Sequence, residues 1–313
     1  MIRQSRKLEP KPMPTVVSHF QSLNNKREHN HNLHMFAEDV YLSVMPIGGK
    51  SSSQSQFSVS LNGSPAECER ALQIIKSLAR YDRYDPTGSV CDAVEEIAKH
   101  LSWEGCAVYE IISNGDDVPY LYSFTPKNLI KLFNRFVQII PRIEWKVWGK
   151  KWVFIPCNKI WYIEMPKILG GQKGYVSILR KLKRIDSISP KFWQLDMELG
   201  EQSKDFDFKN YRLNIDIYMS KITKTWGWNR RDLTQERSTE FFSIFKLVTF
   251  HWAQAVLREH IIGELNTLLS RLGINCKIIV SGLPSVLEIE ETKQQLISGT
   301  LTFAAATDKV SIF

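Results

Sequence analysis

The sequence predicts an α+β fold. Apolar residues recur at helical spacing on both sides of the chain's middle, at Ala71, Ile74, Ile75 and Leu78 and again along 234–272. Between 107 and 165 they fall instead into short runs of strand length, separated by turn residues. With 313 residues and 43% hydrophobic composition, the chain has ample material for a buried core.

Residues 1–65 read as an N-terminal arm. Prolines stand at 10, 12 and 14, a polar run covers 24–34, and a Ser/Gln stretch covers 51–56. Between these, 36–45 has strand-like apolar spacing, and 48–56 is expected to be a flexible loop. His29, His31 and His34 allow a metal reading, but they lack acidic or thiol partners at fixed spacing, so a solvated tract accounts for them. Ser64, Pro65 and Glu67 form a helix start of the S-x-x-E type. The apolar face from Ala71 to Leu78 follows. After a charged loop over 80–88, a second helix buries Val90, Val94, Ile97, Ala98 and Leu101.

A strand over 107–112 ends at the turn Asn114-Gly115-Asp116. Two further segments, 143–148 and 151–155, flank Gly149-Lys150 and predict a hairpin, with another strand over 159–165. The glycine-rich 170–174 leads into a helix over 176–185, Ser189-Pro190 punctuates the chain, and 192–201 can form a short helix. A helix is also expected over 206–225. The longest periodic segment, 234–272, is stopped by Gly273. A strand over 276–280 and a last helix over 289–297 complete the reading. Four units result: an arm over 1–65, an α+β domain over 66–185, a connecting segment over 186–232, and a long helix with a strand-helix unit over 233–313.

Forty-one Lys and Arg against 33 Asp and Glu give a net +8, which fits contact with a polyanion or simply a well-solvated basic surface. Five cysteines stand singly with no C-x-x-C pair, which fits a reducing compartment. There is no apolar signal region at the N-terminus and no apolar run of the roughly 20 residues that span a bilayer, so no membrane partner is expected.

Chemical motifs are sparse. Residues 170–174 resemble a phosphate-binding turn in position only, because the glycines do not fit G-x-G-x-x-G and no G-K-[ST] follows. Nucleophile elbow, H-E-x-x-H and deaminase signatures are missing. Glu95 and Glu96 read as exposed helix residues, and Glu290 and Glu291 as first-turn carboxylates that favour a helix dipole. His251 and His260 lie half a turn out of phase on the long helix, and His100 sits near a helix end. No catalytic residue, metal site or cofactor is expected.

The basic residues are more informative. Arg180, Lys181, Lys183 and Arg184 crowd one helix. Lys146, Lys150 and Lys151 interleave with Trp145, Trp148 and Trp152, and Lys221, Lys224, Arg230 and Arg231 surround Trp226 and Trp228. Cations beside aromatic rings suit phosphate contact with base stacking, and they equally suit subunit contacts. Both readings stand for these clusters, with Trp252 of the long helix added to the interface candidates.

Several segments taken in order resemble portal proteins of tailed bacteriophages, in the large group with capsids of the HK97 plan. They are HLSWEGCAVYEII (100–112), VFIPCNKIWYIEMPKILGGQKGYVSILRKL (153–182), ITKTWGWNRRDL followed by STEFFSIF and a long helix through ELNTLL (222–269), and 296–308 with its Gly-Thr-Leu-Thr step. The resemblance covers roughly residues 100–308. It implies a portal-like fold: a wing region of mixed β structure, a helical layer and one long C-terminal helix. It further implies a ring of identical subunits that passes double-stranded DNA at a capsid vertex without reading its sequence, and contact with the major capsid protein. The product would lie in the virion, or in host cytoplasm during assembly. The family's clip insert, where terminase and tail adaptor bind, is reduced here to about twenty residues, which puts those two partners in doubt. The alternative expectation is a non-ring module from a prophage or mobile element that binds nucleic acid or protein and can interfere with capsid assembly.

Overall fold

The computed structural model describes residues 13–20, 30–42, 44–46, 57–79, 85–113, 118–199, 208–229 and 239–310, with backbone alone over 187–199 and 208–213. In chain order the elements are α1 (His31–Leu42), β1 (Ser58–Asn62), α2 (Pro65–Leu78), α3 (Pro86–Glu104), β2 (Cys106–Ile112), β3 (Tyr120–Ser123), β4 (Leu129–Leu132) and β5 (Arg135–Ile139). Then come α4 (Trp145–Trp148), β6 (Trp152–Pro156), β7 (Ile160–Glu164), α5 (Gly171–Leu199), α6 (Phe208–Ile222), α7 (Glu240–Arg271), β8 (Lys277–Ser281), α8 (Val286–Ile297) and α9 (Phe303–Val310). The class is α+β, and the described residues form three small antiparallel sheets in the orders β1-β8, β3-β2-β7 and β4-β5-β6.

Local chemistry sets the helix ends. The Ser64 hydroxyl accepts from the Glu67 amide at 3.4 Å to start α2, with Pro65 at its first position, as the S-x-x-E pattern predicts. Asp85 does the same for α3, accepting from the Gly88 amide at 2.6 Å. The long helix α7 opens on Thr239 and closes at Gly273 (φ 72°). There the Gly273 amide donates to the Ser270 carbonyl and the Ile274 amide to that of Leu269. This double closure with buried Leu269 and Ile274 is a Schellman end. Its 32 residues run about 48 Å, and Val248, Thr249 and Trp252 to Leu257 are packed inside.

Strand β2 explains why the fold has two apolar cores. All seven of its residues are buried. Ala107, Tyr109 and Ile111 face a large core shared with α1–α3, α5, α7, α8 and α9. Cys106 and Val108 point the other way, into a second core with Phe124, Phe136, Ile140, Val153, Ile155 and Ile160. A strand covered on both faces needs a nearly continuous apolar run, which CAVYEII provides.

The second core is closed by residues 13–20. Val16, Val17 and Phe20 are buried in it. Side chains rather than a strand ladder hold this segment. Glu110, itself buried, accepts from the Thr15 and Val16 amides at 2.9 and 3.3 Å and from the Thr15 hydroxyl. Gln138 accepts from the Val17 amide at 2.9 Å and donates to its carbonyl at 2.8 Å.

Three expectations need correction. Residues 36–45 are not a strand: α1 spans His31–Leu42 and buries Phe36, Ala37 and Val40, an i, i+1, i+4 set. Within the arm read over 1–65, α1 lies in the main core and β1 pairs with β8, Val59 opposite Val280. The hairpin around Gly149-Lys150 is only half there. Residues 142–144 form a 3-10 turn and α4 follows, Gly149 (φ 64°) closing it before β6. Pro190 does not punctuate, since α5 continues through it to Leu199, although a proline inside a helix removes one hydrogen bond and crowds the carbonyl four residues before it. The turn at 114–116, the loop at 48–56 and His29 lie outside the described residues.

Candidate interaction surface

Register makes the two faces of the β4-β5-β6 sheet unlike. Phe136 opposite Ile155 and Gln138 opposite Val153 point into the second core. The alternate positions face outward: Ile130 and Leu132 on β4, Arg135, Val137 and Ile139 on β5, and Trp152, Phe154 and Pro156 on β6. A half-buried antiparallel sheet normally shows polar residues on its outer face. Here Arg135 is the one charged residue among eight. Trp152 is 57% exposed and Phe154 53%, and Phe133 at the β4–β5 turn is 93% exposed with φ 51°. Ile143, Val147 and Trp148 extend the apolar surface beside the sheet.

The same stretch concentrates the chain's positive charge. Residues 127–159 hold eight Lys or Arg (127, 131, 135, 142, 146, 150, 151 and 159) against Glu144 alone, a net +7 where the whole chain carries +8. Lys151 lies 5.0 Å from the Trp145 ring centroid and Lys131 5.9 Å from that of Phe136. Trp145 donates its ring N–H to the Ile140 carbonyl at 2.8 Å, and Trp148 to the Glu144 carboxylate at 3.0 Å. Each indole is thus held at its polar edge while part of its ring stays open. Lys150 and Lys151 are exposed at this edge.

The six tryptophans proposed as interface residues divide in two. Trp148 and Trp152 are exposed in this region, while Trp145 is half-buried against the second core. Trp226, Trp228 and Trp252 do not reach it: they are 0, 3 and 9% exposed and belong to the main core. Trp226 and Trp228 pack edge-on against Phe36 at 5.8 and 5.2 Å, and Trp226 lies 5.4 Å from Tyr175. The Trp228 ring N–H donates to Asp39 at 2.8 Å. The aromatic cluster therefore fastens the α6–α7 link to α1 and α5. Trp252 is covered by α8, whose Lys293 stands 5.2 Å over its ring. Arg180, Lys181, Lys183 and Arg184 lie exposed along α5, away from the aromatic surface in sequence and element. Arg230 and Arg231 fall outside the described residues.

Behind the sheet a cleft of about 540 Å³ opens between β7, α5 and α7, lined in part by Lys131, Tyr162, Glu164, Gln172, Glu264 and Arg271. Several of its polar groups are occupied by the fold. Arg271 donates to the carbonyls of Ile160 at 2.9 Å and Cys157 at 3.1 Å, and also to that of Asn158. Gln172 accepts from the Tyr162 hydroxyl at 3.1 Å and donates to the Cys106 sulfur at 3.1 Å. Burial pushes the Cys106 thiol up to about 11 and raises Tyr162 as well, so both are neutral hydrogen-bonding groups at pH 7. His260 bonds the Glu164 carbonyl at 2.9 Å, and burial lowers the His251 imidazole. Glu290 and Glu291 are not in the first turn of α8; Glu288 is, in a reciprocal capping box with Ser285. Among the described residues no three His, Cys, Asp or Glu converge as metal ligands, and no helix is long and apolar enough to cross a membrane.

Sequence reasoning found the aromatic-basic edge at 145–152 but missed Ile130, Leu132, Phe133 and Phe154. The signal available was the unbroken apolar character of WVFIP (152–156), which leaves one face of β6 without polar residues. No protein-family model matches the chain, and no curated protein matches it.

Proposed function

We propose that this chain is a non-catalytic assembly subunit of portal-like kind, whose copies join head to tail into a closed ring around double-stranded DNA. The observation that carries this reading is the bare outer face of the β4-β5-β6 sheet. Contiguous exposed apolar surface of this kind marks protein contacts in soluble proteins, and aromatic residues with arginine are the groups enriched at such interfaces. The order of motifs over 100–308 supplies the ring geometry, in which a heterologous contact closes on itself by rotation. Lys181 and its neighbours on α5 supply exposed cations suited to phosphates without sequence reading. The major capsid protein is the further partner this reading entails; the virion, or the host cytoplasm during assembly, is the location.

The test is direct. Sedimentation velocity and negative-stain imaging of the purified full chain should give closed rings, and a species that stays monomeric at about 100 μM overturns the reading. A second reading, a module that binds nucleic acid without forming rings, is favoured by one observation, the +7 carried by residues 127–159. It predicts steeply salt-dependent oligonucleotide binding by the monomer.

A further inference from the structure

We propose that the outer face of the β4-β5-β6 sheet receives the outer face of α8 from the next copy of the chain. This rests on the ring reading above and assigns the two halves of its contact.

The solvent side of α8 is the counterpart that the sheet lacks. Leu287 is 76% and Ile297 52% exposed, and between them Glu288, Glu291 and Gln294 are exposed too. Leu287, Glu291 and Gln294 follow i, i+4, i+7 spacing and so lie along one line of the helix. Residues 286–310 carry four acids (Glu288, Glu290, Glu291, Asp308) against Lys293 and Lys309, a net −2. A helix with apolar ends and an acidic middle thus faces solvent, and a sheet with an apolar centre and basic residues at its two ends faces solvent elsewhere.

Dimensions agree. Five-residue strands extend about 17 Å and three strands span about 10 Å between outer axes. The 12 residues of α8 are about 18 Å long, with a body about 10 Å across. Helix on sheet is a general way to cover an apolar sheet face.

Within one copy the two faces cannot meet. The sheet hangs from the C-terminal end of α7, where Arg271 holds the carbonyls that follow β6. By contrast, α8 lies along the middle and N-terminal part of α7: Val286 donates to Glu259 at 2.9 Å, and Lys293 covers Phe245 and Trp252. Roughly 20–40 Å of rigid helix separates them. The match is therefore between copies. Two copies of the stretch 127–159, each carrying a net +7, would repel across a symmetric pairing through this sheet, which favours a head-to-tail contact.

The experiment uses the full chain and three charge variants, each checked for an unchanged thermal transition. Reversing the basic residues at the two ends of the sheet (Arg135→Glu at one, Lys150→Glu and Lys151→Glu at the other) or making the helix face positive (Glu291→Lys, Gln294→Lys) should each weaken self-association about tenfold or more. Both reversals in one chain should restore it. In a separate trap, Phe154→Cys with Leu287→Cys should give a ladder of disulfide-linked oligomers on mild oxidation, and either cysteine alone should not exceed the parent. Normal assembly by both single-face variants overturns the inference and leaves the ring reading standing. So does loss of oligonucleotide binding on reversal of the sheet's basic residues with assembly intact, which would give the face to nucleic acid. A parent chain that never assembles overturns both.

Discussion

At the scale of single residues, the sharpest constraint is Gly227. Its φ is 66°, and a Cβ there would stand 2.5 Å from the Lys246 carbonyl oxygen and 2.6 Å from the Thr249 Cβ. Gly227→Ala therefore adds left-handed strain to a backbone collision, between two tryptophans that fasten the core. A loss of about 3 kcal/mol in urea unfolding is expected. Cys106 makes a second residue-level prediction. Burial holds its thiol protonated up to about 11 against an ordinary value near 9. Between those values the native chain keeps a proton that the unfolded chain has released. The stability this group contributes is whole below about pH 9 and is lost as pH rises toward 11. Urea titrations through that window should fall less steeply for Cys106→Ala than for the parent; equal slopes would show that the thiol is not the group involved.

At the scale of elements, α1 is set in place by a carboxylate from another helix. Asp186 of α5 accepts from the Asn32 and Leu33 amides at 3.0 and 3.1 Å and from the Asn32 side chain at 2.7 Å. These amides are unpaired donors of the first turn, where negative charge is favoured. Asp186→Ala should cost about 2–3 kcal/mol, and amide exchange at Asn32 and Leu33 should quicken before the rest of α1. If those amides exchange at the parent's rate, the cap is not what holds the helix. Nothing in the sequence pairs positions 32 and 186, and α1 was misread as a strand for a related reason: its buried set is short, and its anchor is remote. Elements whose signals are local were legible. The Ser64 start of α2, the apolar face of α3, the Gly273 end of α7 and the strand at 107–112 all came from nearby residues. β1 was not legible, because SVSLN is half polar and becomes a strand only against β8. The candidate surface was half legible for the same cause. Trp148 and Trp226 sit among cations in the sequence alike, and only the packing of α1 against α5 decides that one is open and the other enclosed.

At the scale of the whole molecule, charge is distributed unevenly: nearly the full net excess sits on one sheet and its flank, and the acidic α8 sits far along α7 from it. An assembly joined through those regions should loosen as salt rises from about 0.05 to 0.5 M, because screening shortens the reach of their attraction to a few ångströms. Sedimentation across that series should show a falling oligomer fraction, and an invariant fraction would mean that charge does not steer the contact. The pairing of β1 with β8 has a consequence of another sort. Ser58 and Ser281 touch across 223 positions, so a ribosome must add that many residues after Ser58 before this ribbon can zip. The segment at 13–20 likewise waits for Gln138 and Ile155 to emerge. This part of the native structure thus forms only once β8 has been made, and a product terminated before β8 would leave β1 without its partner strand.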